Sequence, residues 1–393
     1  MPTNFSLAGL RAISLASLLL AIGTFSSNAN AQTFIPLGHL PSGQFSQAYG
    51  ISADGTVVIG EADSGSHTIG FRWTATTGIQ WGLFDAIFRS VNTDGSVIVG
   101  KRTASNNALR WVQNGGWTPT SPYQSVANSV SADGSVVVGS TYEDAFSTTT
   151  ACRWTSAGSP QLLRQPTYLS TSVAYAITPS GSMIVGGYST FNTPSHAFVW
   201  TQPTGMVDLG TLPGETSSRA FAVNRDGSVI VGQSGDSAFR QTRPGTMTRL
   251  NPITPGASSQ AFAVNASGSV ISGTSAAHAV IWTNTRGLID LNTYLPAHGI
   301  NLTDWTLLVA YGISADGRTI VGSGSHNGLA EGWVVTLPVC LGDFNLDGDI
   351  SADDIFAFLS AWFARDPRAD IDISGIVNEQ DIFAYISAWF GGC

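Results

Sequence analysis

The hydrophobic and polar positions of this chain follow a ten-residue phrase that recurs seven times between residues 51 and 322. Each copy begins with an apolar residue, continues through a polar stretch with Asp-Gly or Ser-Gly, and finishes with an apolar run and Gly. The copies read ISADGTVVIG, VNTDGSVIVG, VSADGSVVVG, ITPSGSMIVG, VNRDGSVIVG, VNASGSVISG and ISADGRTIVG. Their turn glycines follow one another at intervals of 39 to 49 residues and are Gly55, Gly95, Gly134, Gly181, Gly227, Gly268 and Gly317.

Each phrase predicts a β-hairpin. Asp-Gly supplies the positive φ angles that a tight hairpin turn requires. The apolar run that follows, such as Val57-Val58-Ile59, is typical of a strand that is buried on both faces. In six repeats a third strand with an aromatic residue comes next, as in Phe71-Arg72-Trp73, whereas the fifth repeat departs from the pattern with Phe239-Arg240-Gln241.

Three or four short strands in each of seven repeats predict an all-β domain, a seven-bladed β-propeller-like structure over residues 32–339. The N-terminal segment 34–38 is similar to the strand Val207–Gly210 that closes a later repeat, and the last repeat lacks such a strand. We therefore expect residues 33–38 to complete the last blade and to close the ring, which leaves only short sheet edges. An open β-solenoid is the alternative architecture.

The repeats also resemble the extracellular HAF repeat family, which is named for a His-Ala-Phe element. His196-Ala197-Phe198 shows the element intact, and degenerate copies occur at residues 66–68 and 277–280. The resemblance covers most of residues 48–336. It implies a secreted, propeller-like domain, and it implies no particular activity.

The first 31 residues have the organisation of a secretory signal peptide. Arg11 precedes an apolar run from Ala12 to Phe25, and the segment ends in Ala29-Asn30-Ala31, a small-x-small cleavage pattern. A membrane anchor is the alternative, but the run is shorter than the ~20 residues that span a bilayer. We expect a secreted protein, extracellular or associated with the cell surface, that does not span the membrane.

The charge is scarce and unevenly distributed. Charged residues make up 11% of the chain and Lys101 is its one lysine, so a nucleic-acid partner is not expected. The last 54 residues carry ten acidic residues against Arg365 and Arg368, which accounts for nearly all of the net charge of −9. A small segment tolerates such self-repulsion best when bound cations neutralise it.

Two loops in this acidic segment have the spacing of calcium ligands. Oxygen-bearing residues occupy positions 1, 3, 5, 9 and 12 of each loop, position 7 contributes a backbone carbonyl, and Gly348 and Gly375 stand at position 6, where the chain turns sharply. A set of oxygen ligands without His or Cys favours Ca²⁺ over Zn²⁺. Ser374 replaces an acid in the second loop, so we expect the second site to bind more weakly. The predicted ligands are Asp343, Asn345, Asp347, Asp349, Ser351 and Asp354 in the first loop, and Asp370, Asp372, Ser374, Ile376, Asn378 and Asp381 in the second.

Each loop leads into nearly the same helix. Apolar residues recur at spacings of three and four, which predicts one apolar stripe on each helix. The matching sets are Ile355, Phe358, Leu359 and Trp362 in one helix and Ile382, Tyr385, Ile386 and Trp389 in the other.

These paired loop–helix units resemble a dockerin. Position 12 is Asp instead of Glu, no helix enters the first loop, and the terminal Gly392-Cys393 is similar to the GC-type subgroup. The resemblance spans residues 340–393 and implies a small α-helical module with EF-hand-like calcium loops. It also implies that the module binds a cohesin-like protein.

In dockerins the residues just before the last ligand, and those along the following helix, usually select the partner. Here those residues are Ala352 and Asp353 in one copy and Glu379 and Gln380 in the other, so we do not expect two equivalent binding orientations. A second set of aromatic side chains is expected to form part of the docking face. Packing of these side chains against the repeat domain is the alternative. The set consists of Phe356, Phe363, Phe383 and Phe390.

Cys340 and Cys393 stand at the two ends of this module. In an oxidising compartment a disulfide between them would close a loop of about 50 residues and stabilise the module by roughly 3–4 kcal/mol. The alternative is that Cys393 is a free handle for covalent attachment. Cys152 lies on a repeat strand and is expected to be an inert core thiol.

No catalytic motif emerges from the sequence. It contains no HExxH motif or phosphate-binding glycine loop. Four histidines precede the aromatic strand in their repeats, which indicates a structural role, and these are His67, His196, His278 and His326. A glycosidase needs two carboxylates about 5–10 Å apart, and no pair stands out among the acids outside the turns. We expect a non-catalytic binding or scaffold protein that docks to a cohesin-like partner and has a polysaccharide as a second expected ligand. A polysaccharide-active enzyme, a glycoside hydrolase or lyase, is the alternative. The acids considered are Asp85, Glu143, Asp144, Glu215, Asp304 and Glu331.

Overall fold

A computed structural model gives the fold of the chain. It describes residues 33–391, with gaps at 66, 81–85, 114, 144–147, 156–159, 164–169, 191–192, 285, 338–340, 346–349, 367–368, 372–373 and 375. The predicted signal peptide and the predicted disulfide partners Cys340 and Cys393 lie outside the described residues. Within them, 27 strands precede residue 337, and two of the three helices follow it.

Each repeat supplies an inner strand that begins the hairpin, then a second, a third and a fourth strand. In the first three repeats the strands are β2 (Ser46–Ile51), β3 (Val58–Asp63), β4 (Thr68–Thr74), β5 (Gly78–Gln80), β6 (Ala86–Val91), β7 (Val97–Arg102), β8 (Asn107–Val112), β9 (Gly116–Val130), β10 (Val136–Glu143), β11 (Thr148–Thr155) and β12 (Gln161–Leu162).

The fourth to seventh repeats follow the same order. Their strands are β13 (Ser170–Ile177), β14 (Met183–Thr190), β15 (His196–Thr201), β16 (Gly205–Gly210), β17 (Ser218–Val223), β18 (Val229–Ser234), β19 (Ser237–Thr242), β20 (Met247–Arg249), β21 (Ser259–Val264), β22 (Val270–Ser275), β23 (His278–Thr283), β24 (Gly287–Asp290), β25 (Trp305–Ile313), β26 (Thr319–His326) and β27 (Leu329–Thr336), with β1 (Thr33–Pro36) completing the last repeat.

These strands form small antiparallel sheets. Five sheets have four strands, and one has seven because the long strand β9 serves both as the fourth strand of the second repeat and as the inner strand of the third. The second and third repeats therefore share a continuous sheet where the sequence predicted two separate ones. The predicted hairpins are confirmed, since every turn glycine has a positive φ angle between 73° and 81°.

The ends of the repeat domain are joined to each other. Strand β1 pairs with β27, with Thr33 opposite Thr336 and Pro36 opposite Trp333. The predicted completion of the last repeat by the N-terminal segment is thus confirmed.

Hydrogen bonds link six pairs of neighbouring hairpin turns, including the last turn and the first. Backbone amides of the first, third, fifth, sixth and seventh turns donate to a carbonyl of the next turn, and Ala315 returns to Ala53 over 2.9 Å. The Asn92 side chain makes the link from the second turn to the third, by donating to the Ala132 carbonyl over 3.2 Å. Pro179 in the fourth turn has no N–H and cannot donate.

The apolar core lies between successive sheets. Val99 of the second repeat, for example, shares one cluster with Cys152 and Trp154 of the third, and all three are almost fully buried. Cys152 is therefore part of the core, as predicted. The run after each turn packs on both faces, which explains why it is apolar in five repeats; Ser272 interrupts it in the sixth repeat and Thr319 begins it in the seventh.

A serine near the start of the inner strand latches five repeats to the third strand of the preceding repeat. The Ser218 hydroxyl accepts a hydrogen bond from the Ala197 amide over 2.8 Å and donates to the Gly210 carbonyl over 2.5 Å. Both partners belong to the fourth repeat, whereas Ser218 belongs to the fifth. The equivalent serines are Ser46, Ser125, Ser172 and Ser259.

The glycine that ends each phrase faces a β-bulge in the inner strand. In the fifth repeat the register of β17 and β18 shifts between Ala220 and Ala222, which leaves Phe221 without a residue opposite it. A Cβ atom on Gly232 would overlap the Arg219 carbonyl oxygen beside this bulge. The same overlap would occur in all seven repeats, so close backbone approach is the reason for glycine at this position.

The three helices are short. Helix α1 (Leu291–Ala297) begins at Asp290, whose side chain accepts from the Asn292 amide. Helix α2 (Ala352–Phe363) begins with a capping box of Ser351 and Asp354, and helix α3 (Glu379–Gly391) follows the second loop. None of the helices in the described part of the chain is long and apolar enough to cross a bilayer.

Candidate functional site

The bulges direct one side chain of every repeat towards the centre of the domain. A bulge leaves a residue unpaired and re-aims its side chain, and here the bulged residue always stands six positions before the turn glycine. We call these seven residues the collar. The collar consists of Tyr49, Arg89, Asn128, Tyr175, Phe221, Phe262 and Tyr311.

Collar side chains from different repeats touch one another. Ring centroids are 5.5 Å apart for Tyr175 and Phe221, 5.7 Å for Phe221 and Phe262, and 5.3 Å for Phe262 and Tyr311. Tyr311 then meets Tyr49 at 5.2 Å, across the junction between the last repeat and the first. These contacts show that the collar converges on one axis.

Two neighbouring repeats place polar groups in the collar. The Arg89 guanidinium lies over the Tyr49 ring, 5.4 Å from its centroid, and Arg89 is exposed. Asn128 donates a hydrogen bond to the Ala174 carbonyl over 2.9 Å. The aromatic part of the collar is therefore open on one side, where a cation is available.

Tyr49 has a carboxylate partner outside the collar. Its hydroxyl donates to Glu61 Oε1 over 2.6 Å. Burial, together with this hydrogen bond, raises the pKa of Tyr49 well above its usual range. Burial also raises the pKa of Tyr175 and of Tyr311, so all three hydroxyls stay protonated at neutral pH.

A cavity of about 240 Å³ lies between the collar and the hairpin turns. Every repeat contributes to its wall, including the last residue of each inner strand. These residues are Ile51, Val91, Val130, Ile177, Val223, Val264 and Ile313. Because all seven repeats line it, the cavity lies on the axis where the collar side chains meet, and we call the two together the axial channel.

The turn aspartates have a structural role, because they accept hydrogen bonds within their own hairpin turns. The Asp133 carboxylate accepts from the Ser131 hydroxyl over 2.6 Å and from the Ser135 amide over 3.0 Å. These hydrogen bonds lower the pKa of Asp133 to about 2. Hydrogen bonds from neighbouring serines likewise lower the pKa values of Asp94 and Asp226.

Three of the recurring histidines pair with carboxylates. His196 Nδ1 lies 3.0 Å from Asp208, and His278 Nδ1 lies 2.8 Å from Asp290, in each case between the third and the fourth strand. His326 Nδ1 lies 2.7 Å from Glu331. Because the first two pairs occupy equivalent places in two repeats, they belong to the repeat architecture.

The lining residues of a second cavity, of about 470 Å³, all lie between positions 215 and 257. Glu215 and Arg249 form an ion pair of 3.1 Å at its wall, and Arg249 also donates to Ser237. Asp236 lines the same cavity. Glu215 is one of the candidate carboxylates of the sequence analysis, whereas Asp236 is not, because it lies in an ordinary connection between two strands.

The C-terminal loops and helices form a pseudo-symmetric pair. Phe358 of α2 stacks on Tyr385 of α3 at 4.1 Å and 11°, and these residues occupy equivalent positions in the two copies. Trp362 Nε1 donates to the Asn378 carbonyl of the second loop over 2.7 Å, and Trp389 Nε1 donates to the Ser351 carbonyl of the first loop over 3.0 Å. Each helix thus holds the loop of the other copy.

The carboxylates at position 12 tie each loop to its helix. Asp354 accepts from the amides of Asn345 and Ser351 over 3.0 and 2.9 Å. Asp381 accepts from Ile371 and Asn378 over 2.7 and 2.8 Å. Both aspartates are fully buried, and burial with the nearby Asp354 and Asp343 carboxylates raises the pKa of Tyr385 to about 12.

Oxygen atoms of the predicted ligands converge in the second loop. The Ser374 hydroxyl lies 3.4 Å from Asp370 Oδ1 and 3.2 Å from the Ile376 carbonyl oxygen. This all-oxygen donor set fits Ca²⁺. Among the described residues no cluster of three His, Cys, Asp or Glu side chains stands out as a metal site. The predicted ligands Asp347, Asp349 and Asp372 lie outside the described residues.

The eight predicted partner-binding residues are all exposed. The phenylalanines form two equivalent pairs: Phe356 and Phe383 are 67% and 68% exposed, and Phe363 and Phe390 are 76% and 78% exposed. The four phenylalanines are thus not packed against the repeat domain in this structure, and their part in a docking face stays a prediction. The remaining four residues, at the helix starts, are Ala352, Asp353, Glu379 and Gln380.

Two of these eight residues, Phe363 and Glu379, line the same cavity. A cavity of about 260 Å³ at the end of α2 is lined by Phe363 and Glu379, together with Ile376 and Arg365. The predicted apolar stripes face the shared core, with one difference. Ile386 was expected in that core but is 41% exposed, whereas its counterpart Leu359 is partly buried.

The collar is the feature that sequence reasoning missed. Its signal is present, because five of the seven residues six positions before a turn glycine are aromatic. These residues stand two positions before the start of the repeated phrase, so the phrase itself does not include them.

The comparisons with known proteins support the fold alone. No family model matches the chain, and no curated protein is similar to it. Among the solved structures that match, three cover 77–78% of this chain at 11–12% identity. They are an oligogalacturonate lyase in complex with manganese (TM-score 0.51, 93% of that chain covered), the oligogalacturonate lyase of Vibrio parahaemolyticus (0.52, 97%) and the β-propeller domain of Myceliophteria thermophila Cps50 (Swd1) (0.52, 99%). The repeat domain is therefore all-β and β-propeller-like.

Proposed function

We propose that this protein is a secreted, non-catalytic binding or scaffold protein with a seven-bladed ring and a dockerin-like tail. With calcium bound, the tail docks to a cohesin-like partner on the cell surface or in an extracellular complex. One observation carries the proposal: two equivalent pairs of exposed phenylalanines lie on a pair of helices that hold oxygen-lined loops.

Seven blades are supported by what each repeat contributes. Every repeat has its own inner strand, its own collar residue and its own hairpin turn, and every inner strand lines the axial cavity. The long strand β9 joins the sheets of two repeats without removing either inner strand.

Calcium is supported by the chemistry of the tail. The ten acidic residues of the last 54 repel one another, and a divalent cation in each loop would offset that repulsion. Asp343, Asn345, Ser351 and Asp354 in the first loop, and Asp370, Ser374, Ile376, Asn378 and Asp381 in the second, would hold the ions. Because Ser374 lacks a charge, Ser374→Asp is expected to raise the calcium affinity of the second site in a titration, whereas Ser360→Asp, on helix α2, is the control.

Docking is supported by exposed apolar area. Large aromatic side chains rarely stay exposed in equivalent pairs on so small a module unless a partner covers them. The residues at the two helix starts differ, Ala352-Asp353 against Glu379-Gln380, so one orientation of the partner is expected to dominate.

The test is binding of the full chain to a panel of immobilised cohesin domains, with calcium and with EDTA. Phe363→Ser combined with Phe390→Ser is expected to weaken binding about 100-fold, because buried aromatic anchors contribute about 2 kcal/mol or more. Leu329→Ser, at an exposed apolar residue of the repeat domain, is the matched control. The proposal is wrong if no domain binds, or if EDTA and the double variant leave binding unchanged.

The second candidate is a polysaccharide-active enzyme on the propeller-like ring. The cavity that holds Glu215, Asp236 and Arg249 brings two carboxylates and a cation together outside the repeat pattern, and two proteins of similar fold are oligogalacturonate lyases. Release of unsaturated products from polygalacturonate, lost in Asp236→Asn and retained in Asp304→Asn, would favour this candidate.

A further inference from the structure

The collar has the chemistry of a ligand site in addition to that of a packed core. A plug that served only to fill the channel would favour an aromatic residue in every repeat. The two exceptions, Arg89 and Asn128, are neighbours around the ring, and Arg89 is exposed. The gap in the aromatic wall therefore coincides with an accessible guanidinium.

A second cation lies at the next level of the channel. Gln47 stands two positions before the collar residue Tyr49, and its amide oxygen lies 2.8 Å from the Tyr49 hydroxyl, which places that position on the channel face. Arg219 occupies the equivalent position in the fifth repeat and is exposed. Its charge acts on Tyr175, where it opposes the rise in pKa that burial causes.

The negative charge beside the collar is already engaged. Glu61 accepts the hydrogen bond of the Tyr49 hydroxyl, and it is the carboxylate whose charge acts on Tyr49 and Tyr311. Two guanidinium groups against one engaged carboxylate favour an anion. Partly exposed aromatic rings, three phenolic hydroxyls and the amides of Gln47 and Asn128 suit the apolar faces and hydroxyl groups of a sugar.

We infer that the collar binds a carboxylate-bearing saccharide, with Arg89 as the anion ligand and the aromatic rings as the stacking surface. This inference rests on the proposed binding role of the repeat domain and names its ligand class. Arg89 presents a planar fork that matches a carboxylate, which a neutral sugar lacks.

The experiment is calorimetric titration of the full chain with α-1,4-linked trigalacturonate and with the neutral galactotriose of the same linkage. We expect the acidic trisaccharide to bind at least tenfold more tightly, because a charge-assisted hydrogen bond contributes that much. Arg89→Gln should lose about tenfold in affinity, Arg89→Lys should lose less, and Arg286→Gln, in an exposed turn, should lose nothing.

Thermal unfolding of each variant checks that the repeat domain is intact. The variant Tyr311→Phe tests the collar by removing a hydroxyl while keeping the aromatic side chain. Equal binding of the two sugars, no binding by the unaltered protein, or full affinity in Arg89→Gln would overturn the inference. Each titration is repeated in EDTA. Sugar binding should persist there while docking is lost, so failure of the tail and failure of the collar are distinguishable.

Discussion

The repeat domain and the C-terminal module are both built by duplication, but different forces hold the copies together. In the repeat domain serine hydroxyls and turn amides link neighbouring copies, and apolar residues fill the space between sheets. In the tail, two buried carboxylates hold each loop to its own helix, and a tryptophan of each helix donates a hydrogen bond to the loop of the other copy. A smaller apolar core lies between the helices. A ring of nearly uncharged copies is held together by packing, whereas a pair of acidic copies is expected to need cations to offset its repulsion.

The largest expected difference between the two regions is their response to calcium withdrawal. With EDTA we expect the acidic loops to open and α2 and α3 to lose order, because their carboxylates then repel one another without compensation. The ring should keep its strands. Limited proteolysis with mass spectrometry would show new cuts only after residue 340, and cuts in the ring under the same conditions would contradict the comparison.

The second prediction concerns two adjacent glycines of β14. Gly186→Ala is expected to destabilise the ring by about 2–4 kcal/mol, because its Cβ would overlap the Val173 carbonyl oxygen beside the bulge. Gly187→Ala is the matched control, with its nearest contact a flexible Arg219 side chain at 3.2 Å. Urea unfolding measures both, and equal losses would show that the bulge does not require glycine.

The third prediction tests the serine latch. Ser218→Ala removes one accepted and one donated hydrogen bond at a buried site and should cost about 1–3 kcal/mol. Ser180→Ala, in an exposed turn, should change stability by less than about 0.5 kcal/mol. Thermal unfolding distinguishes the two variants, and a silent Ser218→Ala would mean that apolar packing alone joins the copies.

The smallest expected effect is the acid sensitivity of the hairpin turns. The pKa of Asp133 is about 2 in the folded protein against 3.8 in the reference state, so its stabilising hydrogen bonds are fully present above pH 4 and are lost as the pH falls towards 2. Asp133→Asn should flatten the fall in Tm over this window by about 1 °C. An identical fall in both proteins would contradict the assigned role.

Local sequence patterns predicted the hairpins, the strand order and the loop–helix units, because turn geometry and amphipathic spacing are set by residues close in the chain. Gly55 and its counterparts needed positive φ angles, and the closing role of residues 33–38 followed from a missing strand in the last repeat. The candidate ligand Asp381 also lies where its spacing placed it, at the start of α3.

Other features depended on contacts between distant residues. The sequence did not reveal that β9 spans two repeats, that Ile386 is exposed, or that Phe221 meets Phe262 at the axis. Each depends on how whole sheets or helices are placed relative to one another.

The sequence by itself determined the copies: seven hairpins whose Asp-Gly or Ser-Gly turns fold locally, and two oxygen-rich loops, each followed by an apolar helix. Only the tertiary structure decided what the copies make together. A bulge exists because a glycine in the neighbouring strand allows its carbonyl to approach, and a collar exists because seven bulges, about 40 residues apart along the chain, converge on one axis. Periodicity sets the side-chain facing along one strand, but a channel is a property of the closed ring.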